Sequence, residues 1–225
     1  MKKFYLTMVF CLLWSLNFLG QDNCSKFYPM DKGTSFQLTM LDNKDKTTGI
    51  IDYLVKEYSG NTATLSYEMH DEKGKLIATS EYGITCNEDG ISIDFNSLAA
   101  PGVLEQYKNM EVEISGSDLM IPNNLAIGKT LPDANMLMNV KMSPINIKMN
   151  FNILNRKVEG KESVTTLAGT FDCFIITFDQ ESKMGIKISG SARQWLAEGV
   201  GMVKQESYNK KGKLMGSTVL TRFEK

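Results

Sequence analysis

Two residue types able to do nucleophilic or metal chemistry are sparse in this chain: one histidine, His70, and four cysteines, Cys11, Cys24, Cys86 and Cys173. A serine or cysteine nucleophile would use that histidine as its base, yet no GxSxG turn or comparable signature accompanies it. His70 lies in MHDEKG, at a strand end beside a turn, where a solvent-exposed side chain is expected. The cysteines show no CxxC spacing, so neither a dithiol redox pair nor a zinc site is indicated. Asp and Glu, 26 in all, leave room for a hydrolase using two carboxyl groups about 5 to 10 Å apart, which linear spacing does not exclude. Asp42 and Asp45 in LDNKDKTTG lack the alternating oxygens and closing Glu of a calcium loop and read as a solvated hairpin. No catalytic residue, metal ligand or cofactor is assigned.

Methionine is the residue that departs most from the ordinary. Fourteen occur, and Met136, Met138, Met142 and Met149 gather on the same faces as Ile145, Ile147 and Phe151. Flexible, polarizable side chains suit either a wall that accepts apolar ligands of variable shape or a methionine-filled core. Met136, Met138, Met149 and Phe151 are therefore the candidate ligand contacts. Trp195 is the only tryptophan outside the leader, and extended sugar-stacking platforms use more aromatics, so carbohydrate binding is not favoured. Trp195, Gly199 and Gly201 are assigned to structure, because a Gly-x-Gly between apolar strands marks a bend.

The elements that must position these residues are strands. In NTATLSYEM, Ala63, Leu65, Tyr67 and Met69 alternate with polar residues, the period of two of a strand with one buried face. INIKMNFNI does the same from Ile145 to Ile153, and shorter runs repeat it around Phe36 to Met40, Ile91 to Phe95, Met136 to Met142 and Met184 to Ile188. Roughly ten to twelve strands follow. Turns at EKGK (72–75), NEDG (87–90) and NKKG (209–212) place glycine where positive φ is needed, so sequential neighbours pair as antiparallel hairpins. In Phe171 to Phe178 both faces are apolar, which predicts a strand covered twice. The one helix expected starts at Pro101 and puts Val103, Leu104, Tyr107 and Met110 on one face.

Residues 1–21 read as a secretory signal: Lys2 and Lys3, then an apolar core from Phe4 to Leu19 too short for a membrane span of about 20 residues. Cys24 follows Gln21, Asp22 and Asn23 rather than a small-residue pair, so no lipid anchor is expected. Without the two leader lysines, 23 basic residues face 26 acidic ones, which gives no electrostatic footprint for nucleic acid or anionic membrane. No later segment is apolar enough to cross a membrane. Residues 22–225 are expected to form one β-rich domain, periplasmic or secreted, in an oxidising compartment. Once Cys11 leaves, Cys24, Cys86 and Cys173 allow at most one internal bridge with three pairings open. Cys24 is the natural residue to be stapled, and Cys173 looks like core.

The ending SARQWLAEGVGMVKQESYNKKGKLMGSTVLTRFEK, with Trp195 and the run Gly199 to Lys204, resembles a family of exported bacterial β-rich domains of unknown function known as TapB-like. Thr165 to Phe178 (TTLAGTFDCFIITF) and Cys24 to Gly33 (CSKFYPMDKG) resemble the same family. The fold this implies is similar to the open barrels of periplasmic lipoprotein carriers. The expected architecture is mainly β: a large antiparallel meander forming a curled sheet, open barrel or sandwich, with one short helix packed against it. The expected function is non-enzymatic binding of an apolar small molecule or lipid in the cell envelope. The alternative is a module that docks on an envelope protein, with an Asp/Glu-dependent hydrolase ranked below both.

Overall fold

A computed structural model describes residues 24–98, 107, 109–142 and 145–225. Residues 1–21, read as the signal, lie outside the described residues, as does most of the segment expected to be helical. Thirteen strands follow one another: β1 (Ser35–Asp42), β2 (Thr47–Ser59), β3 (Thr62–Asp71), β4 (Leu76–Asn87), β5 (Gly90–Ile93), β6 (Glu111–Ser117) and β7 (Leu119–Pro122), then β8 (Ala134–Met142), β9 (Ile145–Thr166), β10 (Gly169–Met184), β11 (Ile186–Ala197), β12 (Gly201–Asn209) and β13 (Leu214–Glu224). The alternating stretches become strands except Met184 to Ile188, where Gly185 at positive φ turns β10 back into β11, and the end of Ile91 to Phe95, where Phe95 opens a 3-10 turn. Among the described residues the one helical element is a 3-10 turn, Phe95–Leu98.

Three hairpins share one piece of turn chemistry. Asp42 Oδ1 accepts from the backbone N–H of Lys44 and Lys46, Asp71 Oδ1 from Lys73 and Lys75, and Asn209 Oδ1 from Lys211 and Lys213. A short acceptor side chain that satisfies the N–H groups two and four residues on folds the chain back by itself, and Gly74 and Gly212 supply the left-handed position. Local chemistry thus sets the register of β1–β2, β3–β4 and β12–β13.

The strands form one antiparallel sheet in the order β6-β8-β9-β10-β11-β12-β13-β1-β2-β3-β4-β5-β7. β6 and β7 stand at its two edges, yet only Asp118 separates them in the chain. One extended segment therefore pairs with β8 along its first half and with β5 along its second, which curls the sheet into a nearly closed barrel. Asp118 pins this switch by accepting from Ser92 Oγ at 2.7 Å and from the Phe95 N–H at 3.0 Å. At Gly90, opposite Pro122, a Cβ would sit 2.2 Å from the Ile121 carbonyl, so β5 and β7 approach too closely for any other residue.

One end of the barrel is plugged. The segment Cys24 to Thr34 crosses it, with Phe27 and Met30 buried and the Phe27 ring edge-on to Phe174 at 5.8 Å. Asn123 holds the segment from one side, accepting from the Lys26 N–H and donating to the Cys24 carbonyl, while the Gly199 N–H donates to Lys26 O. Cys24 is joined to Cys86 at the end of β4, and Cys173 remains free and buried, which selects one of the three open pairings. The opposite end is formed by the three Asx hairpins and by the tip of the β10–β11 hairpin, where Met184, Ile186 and Ile188 are exposed.

β10 is covered on both faces as its composition requires. Phe174 and Ile176 lie with Leu196 and Gln194 of β11, and Cys173 and Ile175 lie with Ala197 and Trp195. The second cover is made within the sheet itself. Trp195 is 2% exposed, donates Nε1–H to Glu162, and has the Arg193 and Lys204 cations 5.0 and 4.8 Å from its ring. Gly199 and Gly201, both at positive φ, form the turn between β11 and β12, and Gly201 leaves room for the Tyr28 ring.

Candidate ligand-binding site

The inside of the curled sheet holds a cavity of about 350 Å³ whose walls come from eleven of the thirteen strands. Volume of this order is at the lower end for small-molecule pockets, about 300 to 1,000 Å³. Leu38, Met40, Ile51, Ile153, Phe178 and Met202 give it apolar walls. Gln180, Gln194 and Gln205 give one wall amide groups, with Gln194 Nε2 donating to Gln205 Oε1. Among the described residues no Asp or Glu lines it.

Four tyrosines converge here: Tyr28 from the plug, Tyr53 from β2, Tyr67 from β3 and Tyr82 from β4. Tyr53 stacks on Phe36 at 4.6 Å and lies 5.7 and 6.5 Å from the Tyr67 and Tyr82 rings. The rings sit deep in the protein yet are only half-buried, because part of each faces the cavity. Burial pushes the Tyr28 hydroxyl up to about 12, against a smaller lowering by the Arg156 charge. Burial first and neighbouring phenols second push Tyr53 and Tyr82 up as well. At neutral pH these hydroxyls are therefore neutral donors.

Arg156 is the charged group of the cavity and is only 2% exposed. A β-bulge delivers it. Ile153 pairs with Gln180 and Lys157 with Thr177, so Asn155 and Arg156 together oppose Phe178, and Asn155 adopts φ of 55°. The Asn155 N–H donates to Asp133 and its side-chain amide to Asp179, which fixes the bulge. Inward parity changes there from odd to even: Ile153 before, Arg156 and Val158 after. Arg156 Nη1 donates to the carbonyls of Met120 and Pro132 at 2.8 and 2.7 Å, tying β7 to the segment before β8. Burial lowers its pKa to about 10, opposed by Asp133 and Tyr28, and the guanidinium stays charged at neutral pH.

A groove of about 450 Å³ continues from the cavity toward the open end, sharing Ile153 and Gln180 with it. Phe151, Ile188, Tyr208 and Met215 line it, and Ile188 and Met215 are exposed.

The sequence-predicted contacts divide between this groove and a second core. Phe151 lines the groove. Met136, Met138 and Met149 are brought side by side with Val140, all at 1% exposure or less, and Phe95, Val112, Ile147 and Phe151 pack against them. His70 ends β3 beside its turn, but its side chain is 24% exposed and its Nδ1 lies 3.8 Å from Asp52, so full exposure is corrected to a half-buried position beside a carboxylate. Arg156 was not among the sequence candidates. In NRKVEGK it reads as one of several solvated charges, and only the parity break between Ile153 and Val158 signals the bulge. Among the described residues no group of three or more His, Cys, Asp or Glu side chains could hold a metal ion, and no helix is long and apolar enough to cross a membrane.

A family model described as DUF3108-like matches residues 31–220. Among solved structures, the chain is similar to a candidate exported protein with YmcC-like fold from Bacteroides fragilis, with 22% identity and a TM-score of 0.73 over 90% of this chain and 100% of that one. It is also similar to a candidate lipoprotein from Parabacteroides distasonis, with 23% identity and a TM-score of 0.72 over 89% and 99% of the two chains. Because that neighbour is named a lipoprotein, the expectation that this chain has no lipid anchor draws no support from it. No curated protein matches the chain.

Proposed function

We propose that this chain, which belongs to the DUF3108-like family, is an extracytoplasmic, non-catalytic binding domain that takes an apolar small molecule or lipid into the interior of its curled sheet. The observation that carries this reading is the cavity of about 350 Å³ that opens along an apolar groove to the unplugged end of the barrel. The neighbours named exported protein and lipoprotein support a location outside the cytoplasm. In this reading Phe151 contacts the ligand in the groove, and Met136, Met138 and Met149 form the deformable backing of that wall. Among the described residues no Asp or Glu lines the cavity and the groove has one, Glu181, paired with Lys187, which counts against a two-carboxylate hydrolase at this site.

Native mass spectrometry of the protein purified under gentle conditions, followed by solvent extraction, tests the reading. A stoichiometric apolar adduct is expected. Met40→Trp, which fills the cavity from β1, is expected to abolish it with the fold intact by circular dichroism. An adduct-free mass after incubation with a mixed lipid extract would overturn the reading and favour an envelope-protein docking module.

A further inference from the structure

We infer that the ligand is a single-chain amphiphile with an acidic head, bound with the head group inward on Arg156 and the chain running out along the groove. This rests on the reading of the interior as a ligand cavity and adds its chemical class and orientation.

The inference starts from a donor count. A guanidinium carries five N–H donors. The two on Nη1 are used by the Met120 and Pro132 carbonyls. Nη2 and Nε have no protein partner among the described residues, and no carboxylate lies within ion-pair distance. A structural clamp between β7 and the segment before β8 would need only the two donors already spent. A buried positive charge with no ion-paired counter-charge is costly, and proteins ordinarily place a carboxylate beside one, whereas Asp133 acts on Arg156 only from beyond ion-pair distance. Here that position is open cavity.

The surroundings are donors as well. Tyr28 lies close enough for the Arg156 charge to act on its hydroxyl, and the Tyr28, Tyr53 and Tyr82 hydroxyls make no hydrogen bond to another described residue while facing the same space. One fixed cation flanked by neutral hydroxyls, with no acceptor carboxylate on the wall, matches a carboxylate or phosphate oxygen pair. It offers nothing to a cationic or zwitterionic head. Orientation follows from depth: Arg156 and Tyr28 sit toward the plugged end, whereas Phe151, Ile188 and Met215 lead to the open one. A chain laid this way keeps its charge on Arg156 and its methylenes on Ile153, Phe151 and Met215.

The test first varies the ligand on the unaltered protein. Dodecanoate, dodecyl alcohol and dodecyltrimethylammonium, each below its micellar concentration, are titrated calorimetrically against the full mature protein. Dodecanoate is expected to bind at least about tenfold tighter than the alcohol, in line with a charge-assisted pair, and the ammonium weakest. Arg156→Gln is expected to bring the acid down to the alcohol while leaving the alcohol unchanged. If that variant does not fold, the ligand series on the unaltered protein decides. Alcohol binding as tight as the acid overturns the head-group inference and leaves the cavity reading standing. Binding of none of the three overturns both.

Discussion

Removing the Cys24–Cys86 bridge tests how the plug is held. The two residues are 62 apart in the chain, and the loop-closure relation for a cross-link of that length gives about 4 kcal/mol of entropy withheld from the unfolded chain. The perturbation is the double replacement Cys24→Ala with Cys86→Ala, which avoids leaving a lone thiol. Both sulfurs lie at the plugged end, and the hydrogen bonds of Lys26 with Asn123 and Gly199 survive the change, so the native state is expected to keep its shape. With a urea slope of about 2 kcal/mol/M, the midpoint falls by about 2 M at constant slope. Trp195, buried and the only tryptophan of the described residues, reports the transition by fluorescence. A midpoint shift below about 0.5 M at unchanged slope would refute loop closure as the source of stability. Hydrogen exchange that speeds only at residues 24–34 would show a plug that releases alone, also contrary to the reasoning.

Other expectations follow from the closure and the cavity. Asp118→Ala removes a carboxylate that accepts from Ser92 and the Phe95 N–H, and a loss of about 3 kcal/mol in chemical denaturation is expected, with Asp118→Asn retaining part of it. Gly90→Ala drives a Cβ into the Ile121 carbonyl and costs about 2 kcal/mol or more, whereas Gly83→Ala, whose Cβ meets only Thr62 Cγ2 at 3.6 Å, is nearly neutral; thermal midpoints of the pair check this. Alkaline stability is set by the phenols. Tyr28 has its pKa raised from 10.0 to about 12, so between those values the unfolded chain has lost a proton that the native chain retains. Stability is therefore full below pH about 10 and falls as pH rises toward 12, by about 2 to 3 kcal/mol for Tyr28, with Tyr53 and Tyr82 acting in the same direction. Phenolate absorbance should rise together with unfolding; ionisation of all tyrosines while Trp195 fluorescence stays native would contradict it.

Much of the fold was legible in the chain. The period of two from Ala63 to Met69 and from Ile145 to Ile153 marks strands because a pleated backbone sends successive side chains to opposite faces. Asp71, Asn209 and the glycines after them close their hairpins through atoms within four residues, so these turns need no partner elsewhere. The stretch 101–110 carried helical spacing, but it lies largely outside the described residues. Met136, Met138 and Met149 come together because β8 and β9 are joined by one short connection and pair directly.

The cavity was not legible, and the reason is the range of the interactions that make it. Local alternation fixes which side chains share a face; it says nothing about how strongly a sheet of thirteen strands curls. Closure depends on one chain segment, through Asp118, serving both edges at once. Tyr53, Tyr67 and Tyr82 meet on the adjacent strands β2, β3 and β4 through hairpin pairing, but Tyr28 joins them only because the plug crosses the barrel end. The Cys24–Cys86 pairing depends on the plug's path across the barrel end. Arg156 depends on both ranges: the parity change after Ile153 is written locally, but the Asp133 and Asp179 contacts that hold Asn155 at positive φ, and so turn a surface arginine inward, exist only once β8, β9 and β10 are assembled.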